Sequence, residues 1–124
     1  MKLSGWGKHP IINTRLHKPK DIAEILNLIK LKGVIARGNG RSYGDSAISS
    51  DHTIEMSSFN KIISFNEDSG QMIAESGMLL SDIIETFLPK GWFPCVTPGT
   101  KFVTVGGMIA SDVHGKNHHL DGSF

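Results

Sequence analysis

The residues best placed to do chemistry are Arg37-Gly38-Asn39-Gly40-Arg41-Ser42-Tyr43-Gly44-Asp45, which follow directly on the short apolar run Val34-Ile35-Ala36. Glycines at 38, 40 and 44 accept positive φ and let a ligand approach the main chain closely. Successive N–H groups in such a segment form a concavity suited to an anion. Arg37 and Arg41 add positive charge, and Asn39 and Ser42 add neutral donors. Pyrophosphate is a sensible ligand for this set. Two common phosphate motifs are excluded. No Gly-Lys-Ser/Thr tripeptide is present, and Asp45 to His52 reads as loop where a dinucleotide fingerprint requires a helix. Local sequence leaves a second reading open, a plain glycine-rich turn between two strands.

A second dense stretch runs from Pro98 to His119. Pro98-Gly99-Thr100 is followed by Thr104-Val105-Gly106-Gly107-Met108-Ile109-Ala110. The Gly106-Gly107 pair permits either tight backbone packing or the approach of a flat ligand. If a helix begins here and runs to Ser111, its free N–H groups are expected to face an anion. Asp112-Val113-His114-Gly115-Lys116-Asn117-His118-His119 then brings three histidines together. Zinc needs three or four converging ligands, Cys95 is distant, and no His-Glu-x-x-His is present. No metal is therefore expected, and two readings stay open: a polar ligand-facing loop and a solvated turn.

Several elements must position these segments. Pro19-Lys20-Asp21 starts a helix carrying Ile22, Ile25, Leu26 and Ile29, with Gly33 as its C-terminal cap. Val34 to Ala36 and Thr53 to Met56 read as strands. Lys61 to Phe65 and Gln71 to Glu75 flank a glycine-containing turn and predict a hairpin. Ser81 is expected to cap a helix bearing Ile83, Ile84, Phe87 and Leu88, ended by Pro89 and Gly91. The result is a mixed α+β chain.

Bulk properties narrow the function classes. The 124 residues suit one domain or part of one, and 14 glycines supplement an apolar fraction of 39%. A net charge of +1 implies no nucleic-acid partner. The single cysteine rules out an internal disulfide. The N-terminus has no apolar signal region, and no run is long enough to span a membrane, so a cytoplasmic location is expected. The motif-dense ending at Gly122-Ser123-Phe124 leads us to expect a truncated chain.

Together these segments resemble the N-terminal part of a vanillyl-alcohol-oxidase-type, or PCMH-type, FAD-binding domain. The resemblance starts at Leu3-Ser4-Gly5-Trp6-Gly7, runs through Ala36 to Asp45, and is densest over Thr97 to Gly107 and Asp112 to His119. It implies a small βαβ subdomain over residues 1–58 that holds the pyrophosphate loop. An antiparallel sheet with helices would begin over 59–124. It implies that Ala36, Arg37, Gly38, Asn39, Gly40, Arg41, Ser42, Tyr43, Gly44, Asp45 and Ser46 wrap the FAD pyrophosphate. Gly99, Thr104, Val105, Gly106 and Gly107 would line the cofactor, with Ser111, Asp112, Val113 and His114 continuing toward the isoalloxazine. His114 would be catalytic, and Lys116, Asn117 and His118 would lie on the substrate side. Many relatives attach FAD through a His in a Gly-Gly-His-Ser-Tyr loop. Arg41 occupies that place here, so the resemblance implies non-covalent FAD. The chemistry implied is oxidation of a sugar secondary alcohol to a ketone, with hydride passing to flavin N5. The substrate would be a small or lipid-linked sugar, the latter bringing the enzyme to a membrane surface. A ketone reductase is the implied partner. An alditol, an aldonolactone, or a non-catalytic flavin-binding role are the alternatives. Because the base would come from chain beyond residue 124, these residues alone are not expected to turn over.

Overall fold

The computed structural model describes all residues, Met1–Phe124, and forms two compact units, Met1–Phe59 and Asn60–Phe124. In the first unit, β1 (Lys2–Leu3) pairs antiparallel with β2 (Ile12–Asn13). A separate sheet of three strands has the order β3 (Arg15–His17), β5 (His52–Glu55), β4 (Val34–Arg37), and every pairing in it is parallel. Helix α1 (Ile22–Leu28) carries the chain from β3 to β4, so a βαβ arrangement is present with β5 inserted between its strands. β4 and β5 are parallel neighbours, and parallel neighbours cannot be joined by a tight turn. The glycine-rich segment is therefore a long crossover loop, not a turn between strands.

Asp21 caps α1, its Oδ1 accepting from the Glu24 N–H at 2.9 Å. The helix stops at Ile29 rather than at Gly33. Gly33 instead takes φ +66° four residues later, where the chain enters β4. The core of this unit is small: Ile48, Ile54 and Phe59 are its buried apolar side chains. Thr53 is fully buried, and its hydroxyl meets that of Thr14 at 2.9 Å and accepts from the Ser49 N–H at 3.2 Å.

In the second unit, β6 (Ile62–Phe65) and β7 (Met72–Ala74) form the expected hairpin, with a register irregularity between Ile62 and Ser64. That irregularity lets Ile62 and Phe65, three residues apart, share a face with Met72 against a cluster centred on Met78, Ile83 and Phe87. Helix α2 (Leu80–Phe87) supplies two of those three residues and passes into a 3-10 turn at Leu88–Lys90, which Gly91 ends at φ +84°. Ser81 does not cap α2. It lies inside the helix, and the cap position is Leu79. The first N–H groups of α2 donate to chain instead: Leu80 to the Val103 carbonyl and Ser81 to that of Lys101, both at 2.9 Å. Two short helices follow, α3 (Val105–Ala110) and α4 (His118–Asp121). No helix is long and apolar enough to cross a membrane.

Candidate functional site

The glycine loop leaves β4 at Arg37, whose carbonyl accepts from the Met56 N–H at 2.9 Å. Arg37 folds back over its own loop and donates from Nη2 to the Ser4 carbonyl at 2.8 Å. Its Nη1 is buried with no hydrogen-bond partner. Burial pushes the Arg37 guanidinium down from its ordinary pKa, and the Glu55 carboxylate opposes this. Burial by itself would raise Glu55. The Ser57 hydroxyl, Lys18 and Arg37 outweigh burial and hold its carboxyl below the usual range. Lys18 Nζ lies 3.1 Å from Glu55 Oε1.

Two glycines are required for stereochemical reasons. Gly40 has φ +66°, and a Cβ there would run into the Arg37 guanidinium. Gly5, outside the loop, has no room for a side chain: a Cβ would lie 2.5 Å from the carbonyl oxygens of Ser42 and Gly44. The next residue, Trp6, donates its N–H to the Ser42 carbonyl at 2.8 Å, and the Arg41 guanidinium lies over its ring, 5.2 Å from the centroid. Ser4, Gly5 and Trp6 therefore brace the loop from outside. Nothing at the sequence level assigned them this role, although the Gly5-Trp6-Gly7 tripeptide was the available signal. Ile48, buried in the core, anchors the far end of the loop, its N–H donating to the Asp45 carbonyl at 2.9 Å.

Between these anchors, the main-chain N–H groups of Gly40, Ser42, Tyr43, Gly44 and Asp45 make no hydrogen bond within the protein. Tyr43 is 77% exposed, and Ser46 donates its hydroxyl to the Tyr43 carbonyl at 3.0 Å. Ala36 and Asn39 are exposed, and Gly38 is half-buried. Unused donors, together with a buried guanidinium nitrogen lacking a partner, suit a bound oxyanion.

In the second unit, the stretch where the sequence allows a helix from Gly106 to Ser111 is helical as α3, Val105–Ala110, but its N–H groups are not free. Val105 donates to the Met78 carbonyl and Gly106 to the Ser76 carbonyl, both at 2.8 Å. Thr104, buried, caps the helix by accepting the Gly107 N–H at 3.2 Å. The anion expected there is thus excluded by the protein's own carbonyls. The same contacts explain the glycine pair. A Cβ on Gly106 would meet Ser76 Cβ and its carbonyl oxygen at 3.0 and 3.1 Å, and one on Gly107 would meet Thr104 Oγ1 at 3.0 Å. Tight packing is the reason for both, whereas Gly99 has open space around it.

Ser111 ends α3, and Asp112 turns the chain with φ +47°. Val113 is held on both sides, its N–H donating to the Met108 carbonyl at 2.9 Å and its carbonyl accepting from Phe124 at 3.0 Å. His114 follows, bridged to Ser123 and exposed. Its Nδ1 lies 2.9 Å from the Asp112 carbonyl. A carbonyl only accepts, so Nδ1 carries the hydrogen and a neutral ring leaves Nε2 with its lone pair toward solvent. His118 makes the same kind of bond to the Gly115 carbonyl at 3.0 Å, and the two rings are 5.1 Å apart. Lys116 is exposed. Asn117 is used by the protein: its amide donates to the Cys95 carbonyl at 3.0 Å and to Asp121 at 2.6 Å. No three metal-ligating side chains converge here or elsewhere.

The chain is thus an α+β chain with a glycine-rich crossover loop rich in unused donors and a histidine-bearing C-terminal loop. The chain belongs to the FAD binding domain family, which matches residues 12–124. It is 38% identical to decaprenylphosphoryl-beta-D-ribose oxidase of Mycolicibacterium smegmatis over 99% of this chain, which is 28% of that protein. It is 27% identical to L-gulonolactone oxidase of Mus musculus over 79% of this chain and 23% of that one. Among solved structures, cholesterol oxidase from Brevibacterium sterolicum superposes with a TM-score of 0.76 at 17% identity, covering 92% of this chain and 24% of that one. Alkyldihydroxyacetonephosphate synthase does so with a TM-score of 0.71 at 19% identity, over 87% of this chain and 22% of that one. The chain thus spans about a quarter of the length of the relatives it matches. The cofactor of this family is FAD. The loop fits its pyrophosphate, because the unused N–H groups and Arg37 Nη1 are the donors two adjoining phosphates require.

Proposed function

We propose that this chain is the FAD-holding segment of a flavin-dependent oxidoreductase that oxidises a secondary alcohol of a sugar, in the manner of a decaprenylphosphoryl-ribose oxidase. The observation that carries the reading is the 38% identity to that enzyme across nearly the whole chain. Residues 36–46 hold the pyrophosphate through main-chain N–H groups and Arg37. Gly99, Thr104 to Gly107 and Ser111 to His114 line the cofactor by shape, the N–H groups of α3 being committed to the protein. Bound FAD supplies the hydride acceptor for the carbinol carbon. His114 is positioned to hold or pass a proton at Nε2. Lys116 and His118 present polar groups to substrate, and Asn117 positions that loop through Cys95 and Asp121. With Arg41 in place of an attachment histidine and engaged with Trp6, the flavin is held without a covalent bond.

The test has two stages. FAD is titrated into the purified chain, and the complex is precipitated with acid. Flavin quenched on binding and released to the supernatant supports the reading; flavin kept in the pellet overturns the non-covalent assignment. The full-length protein that carries this segment is then offered a polyprenylphosphoryl-ribose and an aldonolactone with a dye acceptor, because these residues alone are not expected to turn over. The resemblance to L-gulonolactone oxidase makes the aldonolactone the second reading. Turnover of neither substrate by a protein that binds FAD leaves a non-catalytic flavin-binding role.

A further inference from the structure

We propose that His17 and His52 form a two-imidazole site for a divalent first-row transition cation of right-angle geometry, such as nickel(II). The residues are distant in sequence but sit on paired strands. The parallel register sets Arg15 opposite His52 and Ile54 opposite His17, which makes the two histidines diagonal neighbours on one face of the sheet. Their rings lie at 30° with centroids 5.1 Å apart, and His17 Nε2 is 2.9 Å from His52 Nδ1.

That separation bears on the geometry of the ion. Metal–imidazole bonds are about 2.0–2.1 Å, so two ligands at a right angle sit about 2.9 Å apart and two tetrahedral ligands about 3.3 Å. The observed spacing is that of a ring-to-ring hydrogen bond and coincides with the right-angle separation, so a tetragonal ion such as nickel(II) or copper(II) is accommodated by turning the rings without parting the strands. One facing nitrogen carries a hydrogen in the neutral pair. On binding, that proton moves through water to the far nitrogen of the same ring, and both facing lone pairs turn to the metal. Both rings are half-buried and held by strand pairing, so little freedom is lost. His17 also lines an open hollow of about 460 Å³ with Lys18 and Glu24, whose carboxylate is held by the Lys20 N–H, so water supplies the remaining ligands. Arg15 on the same face weakens attraction for a dication and keeps the affinity modest.

The probe is nickel chloride, followed by NMR of the uniformly labelled chain at neutral pH. Paramagnetic broadening is expected to centre on β3 and β5 around His17 and His52, and to weaken at least tenfold in nickel concentration in His17→Ala and His52→Ala. His17→Gln and His52→Gln, which keep a polar group without an imidazole, serve if an alanine variant misfolds, and they lose the broadening too. Broadening confined to His114, His118 and His119, or unchanged in the variants, overturns the site and leaves the pair a hydrogen bond only.

Discussion

At the residue scale, the glycine loop is governed by steric exclusion and by one guanidinium. Gly40→Ala places a methyl against the Arg37 side chain at a φ that L-residues rarely adopt. It is expected to weaken FAD binding at least tenfold, measured by flavin fluorescence titration. Gly5→Ala is expected to do the same from outside the loop. Gly7→Ala, with open space and no positive φ, is the control that leaves affinity unchanged. Arg37→Met removes the unpartnered Nη1 together with the Nη2 bond to the Ser4 carbonyl, so the chain without FAD is expected to lose about 1–2 kcal/mol while FAD affinity falls about tenfold or more. Glu55 brings a pH dependence with a definite sign. Its folded carboxyl titrates below the unfolded value of about 4.3. Ionised Glu55 therefore stabilises the fold above that value, and the contribution is lost as pH falls through the depressed one. Glu55→Gln is expected to flatten this part of the acid limb in pH-dependent denaturant melts.

At the element scale, two helix starts contrast. The start of α3 depends on a side chain, Thr104, whereas the start of α2 depends on the carbonyls of Lys101 and Val103. Thr104→Ala is expected to cost about 1 kcal/mol in chemical denaturation. Ser81→Ala is expected to cost less than Thr104→Ala, because its buried hydroxyl caps nothing and makes only a long 3.4 Å bond to Asp82. Gly106→Ala forces a methyl onto the Ser76 backbone and is expected to cost about 1–3 kcal/mol. The parallel pairing of β4 and β5 has a further consequence: it obliges the loop to run the length of the sheet. That is what places so many consecutive N–H groups in solvent.

At the scale of the whole chain, each unit leaves apolar surface uncovered. Ile22, Leu26 and Ile29 on α1 are more than half exposed, as are Ile63 and Ile73 on the outer face of the hairpin. A two-stranded sheet is marginal alone, and exposed apolar faces associate. Self-association rising with concentration is expected in sedimentation velocity and should fall in Ile63→Lys; a monomer at all concentrations would contradict it.

The residue types and spacing by themselves marked the glycine-rich loop, the start of α1 at Pro19 to Asp21, and the β6–β7 hairpin. Each is a local matter of periodicity, capping or turn chemistry, legible within a dozen residues. Tertiary structure decided what depends on a distant partner. It showed that the N–H groups of α3 belong to Ser76, Met78 and Thr104, and that α2 is capped by backbone from residues 101 and 103. It brought Gly5 and Trp6 against Ser42, and His17 against His52 across paired strands. No local pattern encodes which carbonyl a free donor will meet, because that is set by where separate segments come to rest against one another.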